Sequence, residues 1–103
     1  MASHSVTRSK TATLTAATAD TVTVTGVVSK LQVVNLGTTR ISCTYNGAAA
    51  TVDGDNTIPV PPGGAVTLYD AGEDGAAAPV DVGADHVVSL ISSSTPTYCV
   101  VGF

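Results

Sequence analysis

Polar and apolar residues alternate along this chain with a period of two. Thr11-Ala12-Thr13-Leu14-Thr15 and Thr21-Val22-Thr23-Val24-Thr25 both read polar, apolar, polar, apolar. In an extended strand that pattern sends successive side chains to opposite faces, one wet and one buried. Thr and Val are β-branched, stiff at χ1 and well suited to a pleated surface. The period predicts a first strand over 11–16 and a second over 20–25, joined by Ala17-Thr18-Ala19-Asp20, with Gly26 ending the second. A third runs from Ser29 to Asn35, with Leu31 and Val33 on one face and Gln32 and Val34 on the other; Leu36-Gly37-Thr38 then turns the chain. A fourth, Arg40 to Tyr45, sets Ile41, Cys43 and Tyr45 against Arg40, Ser42 and Thr44.

Asn46-Gly47 tolerates the positive φ values of a type I′ hairpin turn, so a strand at Ala49–Val52 is expected to pair back across it. Asp53-Gly54-Asp55-Asn56 reads as a second turn. Pro59, Pro61 and Pro62 lack the N–H that a central strand must donate, which makes 53–64 a surface loop or an edge crossing. A strand over Ala65–Tyr69 leads into an acidic, small-residue loop, Asp70 to Ala78. Val87-Val88-Ser89-Leu90-Ile91 is apolar on both sides and reads as a central strand. Ser92–Pro96 turns it into a last strand, Thr97 to Phe103. No 3.6-residue period competes, and Gly and Pro punctuate throughout. The expectation is an all-β chain: a single small antiparallel β-sandwich, jelly-roll-like, with about seven or eight strands. Residues 1–10 are polar and read as a flexible N-terminal arm, and 11–103 as the sandwich domain.

Composition sharpens this. A chain of 103 residues suits one domain, and with aromatics at 4% and no Trp the core must be aliphatic. Such a core is modest, which favours an oligomer or docking onto a larger surface. Charged residues make up only 12%, with a net charge of −4; nucleic-acid binding needs clustered Lys and Arg instead. No apolar run approaches the roughly 20 residues of a membrane helix. Met1-Ala2-Ser3-His4-Ser5 lacks the apolar stretch of a signal peptide, so cytoplasmic synthesis is expected.

Candidate chemistry is sparse. Cys43 and Cys99 each sit in a strand-like run, either as buried small hydrophobes or, if their strands face each other, as a disulfide. Asp53, Asp55 and Asn56 offer oxygen ligands, but the distal bidentate Glu of a calcium loop is missing and Asx-Gly runs form plain turns. Asp70, Glu73 and Asp74 form either a solvated loop or a patch for a basic partner. His4 and His86 are too far apart in sequence to make a metal site by themselves. Asp85, His86 and Ser89 lie in one strand and cannot converge as a triad, because neighbours point to opposite faces. No cofactor is implied. Tyr45, Tyr69, Tyr98 and Phe103 anchor either the core or an interface.

The ending Val87 to Tyr98, with Val33-Val34-Asn35-Leu36-Gly37, Asn46-Gly47, Asp53-Gly54-Asp55-Asn56-Thr57 and Pro59, resembles small virion proteins of tailed bacteriophages, especially those infecting actinobacteria. The resemblance covers 11–103 and brings no catalytic residue. It implies a non-enzymatic accessory protein that decorates and stabilises the outer surface of the capsid by binding the major capsid protein. The expected location is the virion, the expected state a homo-oligomer with a trimer favoured, and neither nucleic acid nor membrane is a partner. The alternatives are a minor tail or tail-fibre-associated component and a host-glycan-binding module using Tyr69. Candidate contact residues are His4, Val6, Arg8 and Lys10 in the arm, with Tyr69 and Phe103. Removal of residues 2–10 is expected to weaken capsid binding and leave the fold intact.

Overall fold

A computed structural model describes residues 3–25, 29–46, 49–55, 57–70 and 85–103. These residues hold nine strands and no helix: β1 Ser3–Val6, β2 Ser9–Thr13, β3 Asp20–Val24, β4 Lys30–Asn35, β5 Ile41–Tyr45, β6 Ile58–Val60, β7 Ala65–Asp70, β8 His86–Ile91 and β9 Thr97–Gly102. They form two packed sheets, a five-stranded one in the order β1-β3-β8-β5-β6 and a four-stranded one in the order β2-β9-β4-β7.

The pairing has a simple logic. β5 pairs with β6, β4 with β7, β3 with β8 and β2 with β9, all antiparallel. One long hairpin, closed at β5–β6, is thus folded over so that its rungs alternate between two sheets. That winding is the jelly roll. The pairs β5–β8 and β4–β9 stitch its turns together. As the doubly apolar Val87–Ile91 run predicts, β8 is the middle strand of its sheet.

The period-two pattern is realised in β3, β4, β8 and β9, whereas the first strand, read over 11–16, runs instead over Ser9–Thr13. Val22, Val24, Leu31, Val33, Val88, Leu90, Tyr98 and Val100 are fully buried between the sheets with Ile41, Cys43 and Val60. Cys43 points into this core from β5, while Cys99 alternates with the buried Tyr98 and Val100 on β9 and so faces out. The two thiols are free; their opposite directions explain why no disulfide joins them.

Several expectations need correction. Residues 1–10 are not simply an arm before the domain. Ser3–Val6 is β1, at the edge of one sheet, and Ser9–Thr13 is β2, at the edge of the other. Removing residues 2–10 therefore strips β1 and the first two of the five residues of β2, so the fold is not expected to survive that deletion unaltered. The sandwich is not wholly antiparallel either, since β1 pairs parallel to β3. Within the proline-rich stretch, Ile58–Val60 forms the edge strand β6, where Pro59 costs no ladder bond on the open side.

Residues 49–52 are not a strand pairing back on β5. Asn46 does adopt the positive φ expected of it, 49°, whereas Gly47 lies outside the described residues. Beyond it the chain runs over the outside of the five-stranded sheet. There the Ala50 N–H donates to Ser89 Oγ at 2.9 Å and the Asp53 N–H to Ser42 Oγ at 3.2 Å. This strap explains why Ser42, Ser89 and Ile91, outward-facing by strand parity, are all buried.

Candidate interaction surface

The predicted contact residues fall on two regions. β1 runs toward Val6, paired with Val24, which in turn pairs with His86 of β8. From there Thr7 and Arg8 cross to the start of β2. The Arg8 carbonyl accepts the Gly102 N–H at 2.7 Å, Gly102 pairs with Leu31, and Leu31 with Tyr69. Val6, Arg8, Tyr69 and Phe103 are thereby brought to one end of the sandwich. His4 and Lys10 lie further along their strands, His4 opposite Val22 and Lys10 opposite Val100.

At this end the Phe103 backbone is fixed. Its N–H donates to the Lys30 carbonyl at 2.9 Å and its carbonyl accepts the Ser29 N–H at 2.7 Å. The ring, however, is 56% exposed. Phe103 is thus not a core anchor. Beside it Lys30 Nζ lies 3.7 Å from Asp70 across the β4–β7 pair. Asp70 is the described member of the acidic group; Glu73 and Asp74 lie outside the described residues. Arg8 is exposed, and Val6 and Lys10 are half-buried.

Tyr69 is half-buried and contributes an inter-sheet tie. Its ring lies 4.8 Å from that of His86 and 6.4 Å from that of Tyr45. The Tyr45 hydroxyl in turn bonds His86 Nδ1 at 2.5 Å. The buried His86 thus faces the core, whereas Ser89 faces the strap, as their parity requires. Among the described residues no group of three or more His, Cys, Asp or Glu side chains is placed to hold a metal ion, and no helix is long and apolar enough to cross a membrane.

A second tie lies toward the other end. The buried Tyr98 hydroxyl crosses from β9 and donates to Asp20 Oδ2 of β3 at 3.0 Å. Burial, reinforced by the Asp20 carboxylate, holds the phenol protonated well above its ordinary range. His4 of β1 approaches the same carboxylate, Nε2 to Oδ2 at 4.0 Å, and this Nε2 is buried without a hydrogen-bond partner. Sequence reading did not single out Asp20, yet a signal existed: it shares strand parity with Val22 and Val24, so its acid occupies an apolar phase.

The outer face of the four-stranded sheet was also missed. Register places Ser9, Val101, Gln32 and Thr67 in one row across it and Thr11, Cys99, Val34 and Ala65 in the next, with Thr13 beside Thr97 beyond. All are exposed or half-exposed and none is charged. The hydroxyls of Thr13 and Thr97 bond each other at 2.9 Å, and Gln32 Nε2 donates to Thr67 Oγ1 at 3.1 Å. No described loop bonds across this face as the strap does on the opposite sheet.

Against the strap lies a shallow cleft of about 180 Å³ lined by Arg40, Ser42, Asp53, Gly54, Thr57 and Pro59. Arg40 and Asp53, both more than half exposed, pair across its mouth. Asp53 adopts a positive φ of 49°, and the Thr57 hydroxyl donates to the Gly54 carbonyl at 2.6 Å. This part of the Asp-Gly-Asp run is thus a hydrogen-bonded turn; Asn56 lies outside the described residues. No family model, curated protein or solved structure matches this chain.

Proposed function

We propose that this chain is a non-enzymatic structural tile of a tailed-phage particle, which docks on the outer surface of the capsid by binding the major capsid protein and stabilises the shell. The observation that carries the reading is the uncharged middle of the outer face of the β2-β9-β4-β7 sheet, closed at one end by the Lys30–Asp70 pair. On a chain of net charge −4, a face of Ser, Thr, Val, Ala, Gln and Cys suits contact with another protein surface, because little charge must be desolvated there. The exposed Phe103 ring at its end adds an apolar anchor. Repetition on a lattice then lets many modest contacts hold an array. The jelly roll itself is shared by many functions and adds only analogy.

The test is co-sedimentation of purified protein with empty phage shells, followed by heating. Binding with a raised shell melting temperature is expected. Val34→Asp, which puts a carboxylate at the centre of the face, should lower affinity at least tenfold, about 1.4 kcal/mol, with little effect on the fold because Val34 is half-exposed. Absence of binding to shells, with label found instead on tails in micrographs, would move the assignment to the tail.

A further inference from the structure

We propose that β1 is an exchangeable strand: the groove it fills along β3 also accepts the β1 of a second copy of this chain, in the same parallel register. The eight antiparallel strands from Ser9 to Gly102 form the roll without β1, which lies outside the nested hairpin and has β3 as its one neighbour in the sheet. Its hold is slight. Of its four residues only His4 and Val6 turn inward; Val6 is half-buried, and the His4 imidazole has a buried Nε2 with no hydrogen-bond partner. Withdrawal returns that nitrogen to water and recovers the cost of its burial, giving up only its 4.0 Å approach to the Asp20 carboxylate. Withdrawal also uncovers the edge of β3 with Val22 and Val24 beneath it, an unpaired edge that seeks another strand.

The natural occupant is a second copy, because its β1 restores every contact that was broken. The hinge suits exchange. Thr7 and Arg8, both exposed, are all that links β1 in one sheet to β2 in the other, across sheets about 10 Å apart, so a change at these two residues redirects the whole of β1. Such exchange would give a shell tile its self-association. Its test involves no shell, so this inference and the proposed function fail separately.

The experiment mixes two chains, one Ser5→Cys and one Thr23→Cys, both in a Cys99→Ser background. Ser5 and Thr23 are direct register partners. After incubation at high concentration in mild denaturant and return to buffer, a short bismaleimide is added. Exchange yields a covalent species of twice the 10.2 kDa chain mass, several-fold above a control mixture pairing Ser5→Cys with Ser93→Cys at an exposed hairpin position away from β3. A yield no greater than the control, with the Ser5→Cys/Thr23→Cys double variant linking only within one chain, overturns the proposal. A chain lacking residues 2–6 is expected to keep a cooperative melt and a β-sheet spectrum; if it fails to fold, the roll is not complete without β1 and the proposal also falls.

Discussion

At the scale of the residue, Asn35 shows how one buried side chain can hold a junction. It is wholly buried at the end of β4, and its side chain is engaged on both sides. Nδ2 donates to the carbonyls of Thr39 at 2.8 Å and Val60 at 3.0 Å, and Oδ1 accepts the Gly37 N–H at 2.9 Å. One side chain thus ties the β4–β5 turn to β6. Gly37 is packed so closely there that a Cβ would lie 2.5 Å from Pro96 Cβ. Asn35→Ala strands two carbonyls and an N–H, some within reach of water. A loss of about 2–4 kcal/mol is expected, read from the denaturant midpoint. Cys43 provides a second residue-scale prediction. Burial pushes its thiol up from 9.0 to about 11, so the folded state keeps a proton that the unfolded chain releases above pH 9. Stability from this source is complete below pH 9 and is lost as pH rises to about 11. The comparison that isolates this thiol is with Cys43→Ala: its stability should fall less between pH 9 and pH 11, by about 2 kcal/mol. Equal slopes in the two proteins would refute the assignment.

Elements were legible where a strand buries one face and opaque where something else covers it. β3, β4 and β5 lie within a residue of where Thr/Val alternation and the turn signals placed them, because each has an apolar phase facing the core. The strap over 49–55 gave no such signal. Its contribution is to supply backbone N–H groups to Ser42 and Ser89, whose small hydroxyls look from sequence like ordinary solvent-facing strand positions. β6 was masked by its prolines, whose usual meaning is loop; an edge position needs an N–H on one side only, so the two readings differ by topology, which sequence does not carry. β1 failed differently. Ser3-His4-Ser5-Val6 alternates, but its inward residues are a histidine and one valine, too little apolar surface to stand out from a polar arm. The contact surface was the hardest to read, since it depends on which strands lie side by side: Thr11, Cys99, Val34 and Ala65 come from four separate segments and meet only through register.

For the whole molecule, the nested hairpin dictates an order of assembly. β5 and β6 join Ile41 to Val60 across residues 46–57, the smallest loop among the four nested pairs, whereas the outermost pair joins Ser9 to Val101 across nearly the entire chain. Closing a longer loop costs more entropy, and inner rungs shorten the loop that each outer rung must close. Folding should therefore be slow for the size, in the millisecond-to-second range of non-local all-β domains. The nucleus should form near the closed end of the hairpin, with β5, β6 and the β8 strand packed beside them. Two buried substitutions separate this from a uniform collapse. Ile41→Val, in the inner rungs, should slow folding by most of its equilibrium cost of about 1 kcal/mol. Tyr98→Phe breaks the tie to Asp20 between outer strands and should chiefly accelerate unfolding, since that tie forms late. Chevron plots of the two variants test the order: the folding limb should shift in the first and the unfolding limb in the second. The reverse pattern would mean that the termini meet first and that the roll is wound from its open end.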